Sequence, residues 1–152
     1  MGDEFDRIIQ VMQDSINEDT RATWGETAFQ RWCSPPNMGM LPEADSRAEL
    51  RGSCGDTMVI YLKFANGKTS AATFETDGCG PSIVCGSIAA ELALGKTAEE
   101  ILDINGDQVL AQAGQIPEDH HHCAFLAAAT LHEAVNRFMK MVTSTNHLSK
   151  NQ

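Results

Sequence analysis

Three of the chain's five cysteines share one kind of setting. Cys54 stands in Gly52-Ser53-Cys54-Gly55-Asp56, where glycines let the backbone come close to a bound object. Cys79 stands in Asp77-Gly78-Cys79-Gly80-Pro81 and Cys123 follows His120-His121-His122, each just ahead of an expected helix. A thiol at a helix N-terminus feels the positive end of the dipole, which favours the thiolate that binds metal. Soft thiolates suit zinc, Cu(I) and iron–sulfur clusters. Asp56 adds a hard oxygen donor two residues after Cys54, and His122 an imidazole beside Cys123 that suits a ligand or a proton relay. Three thiolates with one weaker ligand would make a site that opens more easily than four thiolates. The spacing matches no Cys-x-x-Cys pattern, so by itself it leaves metal binding and scattered structural cysteines as equal alternatives.

The other two cysteines read differently. Cys85 lies in an expected helix in line with Ile88 and Leu92, about 9 Å of helical rise from Cys79, which fits a buried packing role. Cys33, in Trp32-Cys33-Ser34-Pro35-Pro36, reads as a core or surface thiol. His120 and His121 fit a solvated loop, and His132 a satisfied, partly buried position beside an apolar stripe.

The elements that must hold these residues can be read from periodicity. Phe5, Ile8, Ile9, Met12 and Ile16 recur at helical spacing and predict an amphipathic helix over 4–18. A second helical piece is expected over 25–32, stopped by Ser34-Pro35-Pro36. Ala48–Ser53 is a short strand candidate, and Met58, Ile60, Leu62 and Phe64 alternate with Val59, Tyr61 and Lys63 as a strand does. Asn66-Gly67 suits a tight hairpin, with Thr69–Thr76 returning as partner. Pro81 fits the first turn of a helix that runs to about Leu94 and stops at Gly95. Thr97-Ala98-Glu99-Glu100 is a capping box, and Asp107–Gln112 suggests another short helix. After a polar loop at 114–122, a long helix starts near Cys123 with Leu131, Val135, Phe138 and Val142 as its stripe. Strands followed by helices predict an α+β fold: a small antiparallel sheet of about three strands, helices packed on one face, and an added N-terminal helix. The expected organisation is that helix at 1–22, a domain at 23–145 and a flexible tail at 146–152.

Composition limits the function classes. At 152 residues and 42% apolar, the chain is the size of one domain with a core. Acidic residues outnumber basic ones by 21 to 11, which speaks against nucleic acid and anionic membranes and suits a basic protein surface. No apolar run nears the roughly 18 residues of a membrane span. The acidic N-terminus has no secretion or transit pattern, so the cytoplasm is the expected location. An odd cysteine count without such a signal argues against a disulfide framework.

Taken together, Cys54-Gly55-Asp56, the hairpin, Gly78-Cys79-Gly80 and His122-Cys123 ahead of a terminal helix resemble the IscU/NifU-type iron–sulfur scaffolds, over roughly residues 25–142. Pro35-Pro36-Asn37-Met38-Gly39 looks like a variant of that family's upstream Asn-Pro-Arg-Asn-x-Gly segment. The resemblance implies a scaffold, not an enzyme acting on a diffusible substrate. It would take persulfide sulfur from a cysteine desulfurase, combine it with iron into a [2Fe–2S] cluster, and pass the cluster to apo iron–sulfur proteins. Cys54, Cys79 and Cys123 would be ligands, with Asp56 as fourth ligand or as the source of lability and His122 as the alternative fourth ligand. Cys123 would be the persulfide acceptor, and zinc would fit the same site. The rival reading within the resemblance is a zinc-dependent sulfurtransferase that stimulates a desulfurase. No long insertion separates Cys79 from Cys123, which weighs toward the scaffold. Ile116-Pro117-Glu118-Asp119-His120 departs from the family's Leu-Pro-Pro-Val-Lys stretch, which speaks against a specialised chaperone as partner. The N-terminal helix leaves capping of the site, oligomerisation and padding of the core open.

Overall fold

The structure, a computed structural model, describes residues 2–78 and 80–150, with side chains to residue 144. Met1, Cys79 and residues 151–152 lie outside it, and with them the Cys79 thiol and the end of the expected tail. The elements run α1 (Gly2–Cys33), β1 (Ser46–Arg51), β2 (Thr57–Ala65), β3 (Lys68–Thr76), α2 (Gly80–Ala93), α3 (Ala98–Leu102), α4 (Gly106–Ala113) and α5 (His122–Lys150), with a single 3₁₀ turn at Glu118–His120 before α5.

The three strands form one antiparallel sheet in the order β1-β2-β3. The hairpin between β2 and β3 turns on Asn66 (φ 56°) and Gly67 (φ 79°), both left-handed, which is the twist that matches two paired strands. Alternation along β2 sends Met58, Ile60 and Leu62 to one face, where they are fully buried with Ala48, Ala72 and Phe74. Helices α2 and α5 pack on the sheet and complete this core with Val84, Cys85, Ile88, Leu131 and Val135. The expected α+β architecture is therefore present, with a three-stranded sheet, packed helices and an N-terminal helix. On the opposite face Val59 and Tyr61 are nearly buried as well, under charged cross-strand neighbours. The Tyr61 hydroxyl donates to Glu75 Oε1 at 2.5 Å, which raises the Tyr61 pKa above its usual value.

The short helices are set by their caps. Thr97 caps α3 with the full capping box, and Asn105 caps α4 in the same way with Gln108. Helix α2 is followed by Gly95 at φ 76°. Helix α1 is the two expected pieces joined at a non-helical Gly25 (φ 85°, ψ 166°), the first of them running on past residue 18. The portion after Gly25 docks Ala28 and Phe29 into the body, and Arg31 there pairs with Glu91 and donates to Ser87 Oγ. In α5, Leu131 and Val135 are buried, Phe138 stacks on Phe64, and Val142 is exposed, so the expected stripe fades toward the C-terminal end.

Candidate metal centre

Three chain segments meet at one end of the sheet. The first is the β1–β2 turn. Gly52 N–H donates to the Asp56 carbonyl at 2.8 Å and Gly55 N–H to that of Gly52 at 3.0 Å. Gly55 takes φ 94°, a conformation that favours glycine. This tight turn lifts Cys54 to the surface and turns the Asp56 side chain inward, where it is half-buried.

The second segment is the β3–α2 junction, which carries Cys79. It is tied to the first: Thr57 N–H donates to Asp77 Oδ1 at 2.7 Å, and the Thr76 hydroxyl donates to the Thr57 carbonyl at 2.7 Å. Gly78 lies so close that an added Cβ would sit 2.5 Å from Ser82 Oγ and 2.9 Å from Asp56 Cγ. Only glycine lets this junction close on the turn. Cys79 itself falls outside the described residues, and of its neighbours Gly78 borders the site. Gly80, on its other side, lies under the ring of Trp24, which an added Cβ would overlap.

The third segment is the start of α5. His121 Nε2 is held 2.9 Å from the Ile116 carbonyl, which orients the polar loop, while the next ring, His122, faces the turn. One donor atom each from Cys54, Asp56 and His122 lies within 4.8 Å of the others. Cys123 stands behind this group, 1% exposed.

Between these segments sits Ser82, fully buried. Its Oγ is 3.2 Å from Asp56 Oδ2 and 3.4 Å from Cys123 Sγ. A hydroxyl has one proton to give and two lone pairs. Ser82 therefore links the carboxylate of the turn to the thiol of α5. No spacing rule singles it out, because its partners lie 26 and 41 residues away.

The expected site residues thus divide clearly. Cys54, Asp56 and His122 come together, Cys123 joins them through Ser82, and Cys79 is bracketed by Gly78 and Gly80. Cys85 is fully buried in the core, as its place in the helix implied, and Cys33 is exposed. His132 is half-buried with Nε2 2.5 Å from the Ile104 carbonyl. The upstream segment is also placed: Phe74 N–H donates to the Asn37 carbonyl at 2.9 Å and Gly39 N–H to that of Phe74 at 2.8 Å, so residues 37–39 run beside β3. The Ser87 hydroxyl fixes the preceding turn through the Pro36 carbonyl at 2.8 Å.

A thiol, a carboxylate and an imidazole within one ligand radius, with a second thiol behind them, fit a thiophilic metal or an iron–sulfur unit and also zinc. One ligand is exposed and two are half-buried, so the centre opens to the outside.

Known proteins share sequence and fold with this chain. The profile of the NifU-like N terminal domain matches residues 24–145. A relative from Archaeoglobus fulgidus, named iron-sulfur cluster assembly scaffold protein IscU 1, is 35% identical over 113 residues, 74% of either chain. Iron-sulfur cluster assembly protein 3 of Arabidopsis thaliana is 32% identical over 118 residues, 74% of this chain and 68% of that one. In fold, the chain resembles the crystal structure of the N-terminal part of a nitrogen-fixing NifU-like protein from Brucella abortus, with TM-score 0.61 and 19% identity over 79% of this chain and 96% of that one. With its profile match covering most of the sequence, the chain belongs to the family of NifU-like N terminal domains.

Proposed function

We propose that this protein is a scaffold on which an iron–sulfur cluster is built and from which it is handed on. The observation that carries the reading is the convergence of Cys54, Asp56 and His122, with Cys123 one hydroxyl away, at the meeting point of three loops. Family membership and relatives named as cluster assembly scaffolds support it. The cluster is cargo, so the protein acts as a carrier and not as a catalyst on a diffusible substrate.

In this reading Cys54, Cys79 and Cys123 supply thiolates to a [2Fe–2S] unit, and Asp56 or His122 completes the set. Sulfur comes as persulfide from a cysteine desulfurase. The Cys123 thiol is the acceptor that the resemblance implies, yet it is 1% exposed, whereas Cys54 is exposed at the rim. Of the described thiols at the site, Cys54 is thus the one that an incoming desulfurase meets first. Release to an apo-protein is favoured by the half-buried Asp56 carboxylate, an oxygen ligand that thiolates of a recipient displace.

The test is anaerobic reconstitution with iron, cysteine and a desulfurase, followed by addition of an apo-ferredoxin. The reading expects a chromophore on this chain that disappears as the ferredoxin's own circular dichroism spectrum grows in. One zinc per chain, no sulfide and a faster desulfurase would instead establish a zinc-dependent sulfurtransferase.

A further inference from the structure

Residues 2–23 of α1 contribute nothing to the core, and the family profile begins only at residue 24. Yet they carry the most exposed apolar surface of the described residues. Phe5, Ile8, Ile9, Met12 and Ile16 are each half or more exposed. At about 100° per residue these five side chains form one stripe along the helix. A lone helix with an uncovered apolar stripe is marginal in water, because helices in proteins draw most of their stability from packing such a face. Internal bonds such as Gln10 to Asp14 and Gln13 to Asn17 add only a few tenths of a kcal/mol each.

Charge indicates what covers the stripe. The same angular arithmetic places Glu4 and Asp6 along its borders and Asp19 in line with the stripe just past Ile16, at its C-terminal end. The two arginines of this stretch, Arg7 and Arg21, fall on the opposite side, and Arg21 lies over the Phe29 ring and pairs with Glu26. A second copy of this chain would set acidic borders against acidic borders, in a molecule already at −10. A partner with basic borders would be drawn to it and held in register.

We propose that residues 2–24 are a docking arm for a protein partner that presents an apolar surface edged by lysine and arginine, such as a basic amphipathic helix. The arm ends at the Gly25 break, and its last residue, Trp24, lies over Gly80, next to Cys79. The foot of the arm is therefore seated over the start of α2. The docking chemistry itself does not depend on what the metal centre carries.

The test uses the full chain and a fluorescein-labelled helical peptide of about five turns, with leucine at helical spacing and lysine elsewhere. A scrambled peptide of the same composition is the control. Anisotropy is expected to report binding of the patterned peptide that is about tenfold tighter than binding of the scrambled one. The variant Ile8→Gln/Ile9→Gln/Ile16→Gln and the charge variant Glu4→Lys/Asp6→Lys/Asp19→Lys should each weaken it by about tenfold or more, with unchanged thermal unfolding of the body. Equal binding of both peptides, or of wild type and the glutamine variant, would overturn the proposal. So would sedimentation of the free chain as a dimer that the glutamine variant dissociates, which would make a second copy the occupant.

Discussion

Replacing Ser82 with alanine separates two roles that a buried hydroxyl can have. The side chain is fully buried, 3.2 Å from Asp56 Oδ2 and 3.4 Å from Cys123 Sγ. A hydrogen bond to a charged group contributes about 1.5–3 kcal/mol. This one is long, and Asp56 is half-exposed, so water can take over part of the lost bond. A loss near 1 kcal/mol follows, or about 2–4 °C in Tm for a chain of this size. The effect on metal is larger, because groups that orient ligands typically contribute about 10–100-fold in affinity. Zinc, titrated in competition with a chromophoric chelator, serves as the probe, and unfolding of the metal-free protein is followed in parallel. Ser87→Ala is the internal control. That hydroxyl is equally buried but donates to the Pro36 carbonyl at 2.8 Å, away from the donor atoms. Ser82→Ala should weaken zinc by about tenfold or more with a small drop in Tm, and Ser87→Ala should lower Tm alone. Zinc affinity within about twofold of wild type in Ser82→Ala would refute the argument that Ser82 positions Asp56 and Cys123.

Other perturbations test the frame around the site. Gly86→Ala gains about 1 kcal/mol of helix propensity, but its Cβ would overlap the Phe74 ring and stand 3.0 Å from Met58 Sδ, both fully buried. Overpacking of about 1–3 kcal/mol should win, seen as a lower denaturant midpoint. Gly80→Ala meets the half-buried ring of Trp24 instead, so that ring should move outward, giving red-shifted tryptophan emission with a smaller loss of stability. Thr97→Ala removes one half of the capping box of α3 and should cost about 1 kcal/mol near neutral pH, measured by thermal melts. The backbone and side-chain hydrogen bonds at Thr97 hold the Glu100 carboxyl below its usual pKa. The ionised half of the box is therefore fully effective above the ordinary glutamate range and fades as pH falls through the lowered value, so wild type and Glu100→Gln should converge in acid, while the gap to Thr97→Ala, whose lost bond is to the Glu100 N–H, persists.

How far the sequence reveals the fold depends on how local each signal is. The alternation of 58–64, the Asn66-Gly67 hairpin, the Thr97 box and the stop at Gly95 are each decided within a few residues, and each appears in the structure. The Asn105 cap of α4 was equally local, since Gln108 stands three residues on, but the expected start at Asp107 passed over it. Other features depend on distant partners. Residues 37–39 run beside β3 because their backbone groups find Phe74, and Val142, though on the expected stripe, stays exposed. At the site, Cys54, Asp56 and His122 were legible from residue type and from their place at element ends, and the fold brings them within ligand distance. Ser82 was not legible, because its role exists only once β3–α2, the β1–β2 turn and α5 have met.

The central claim is that the loop ends form one cluster-holding centre. The most direct measurement is anaerobic reconstitution of wild type, Cys54→Ala, Cys79→Ala and Cys123→Ala side by side, with iron, acid-labile sulfide and visible absorption determined for each. The account predicts equal iron and sulfide with charge-transfer bands in wild type and their loss in all three variants. A full cluster retained in all three would contradict it.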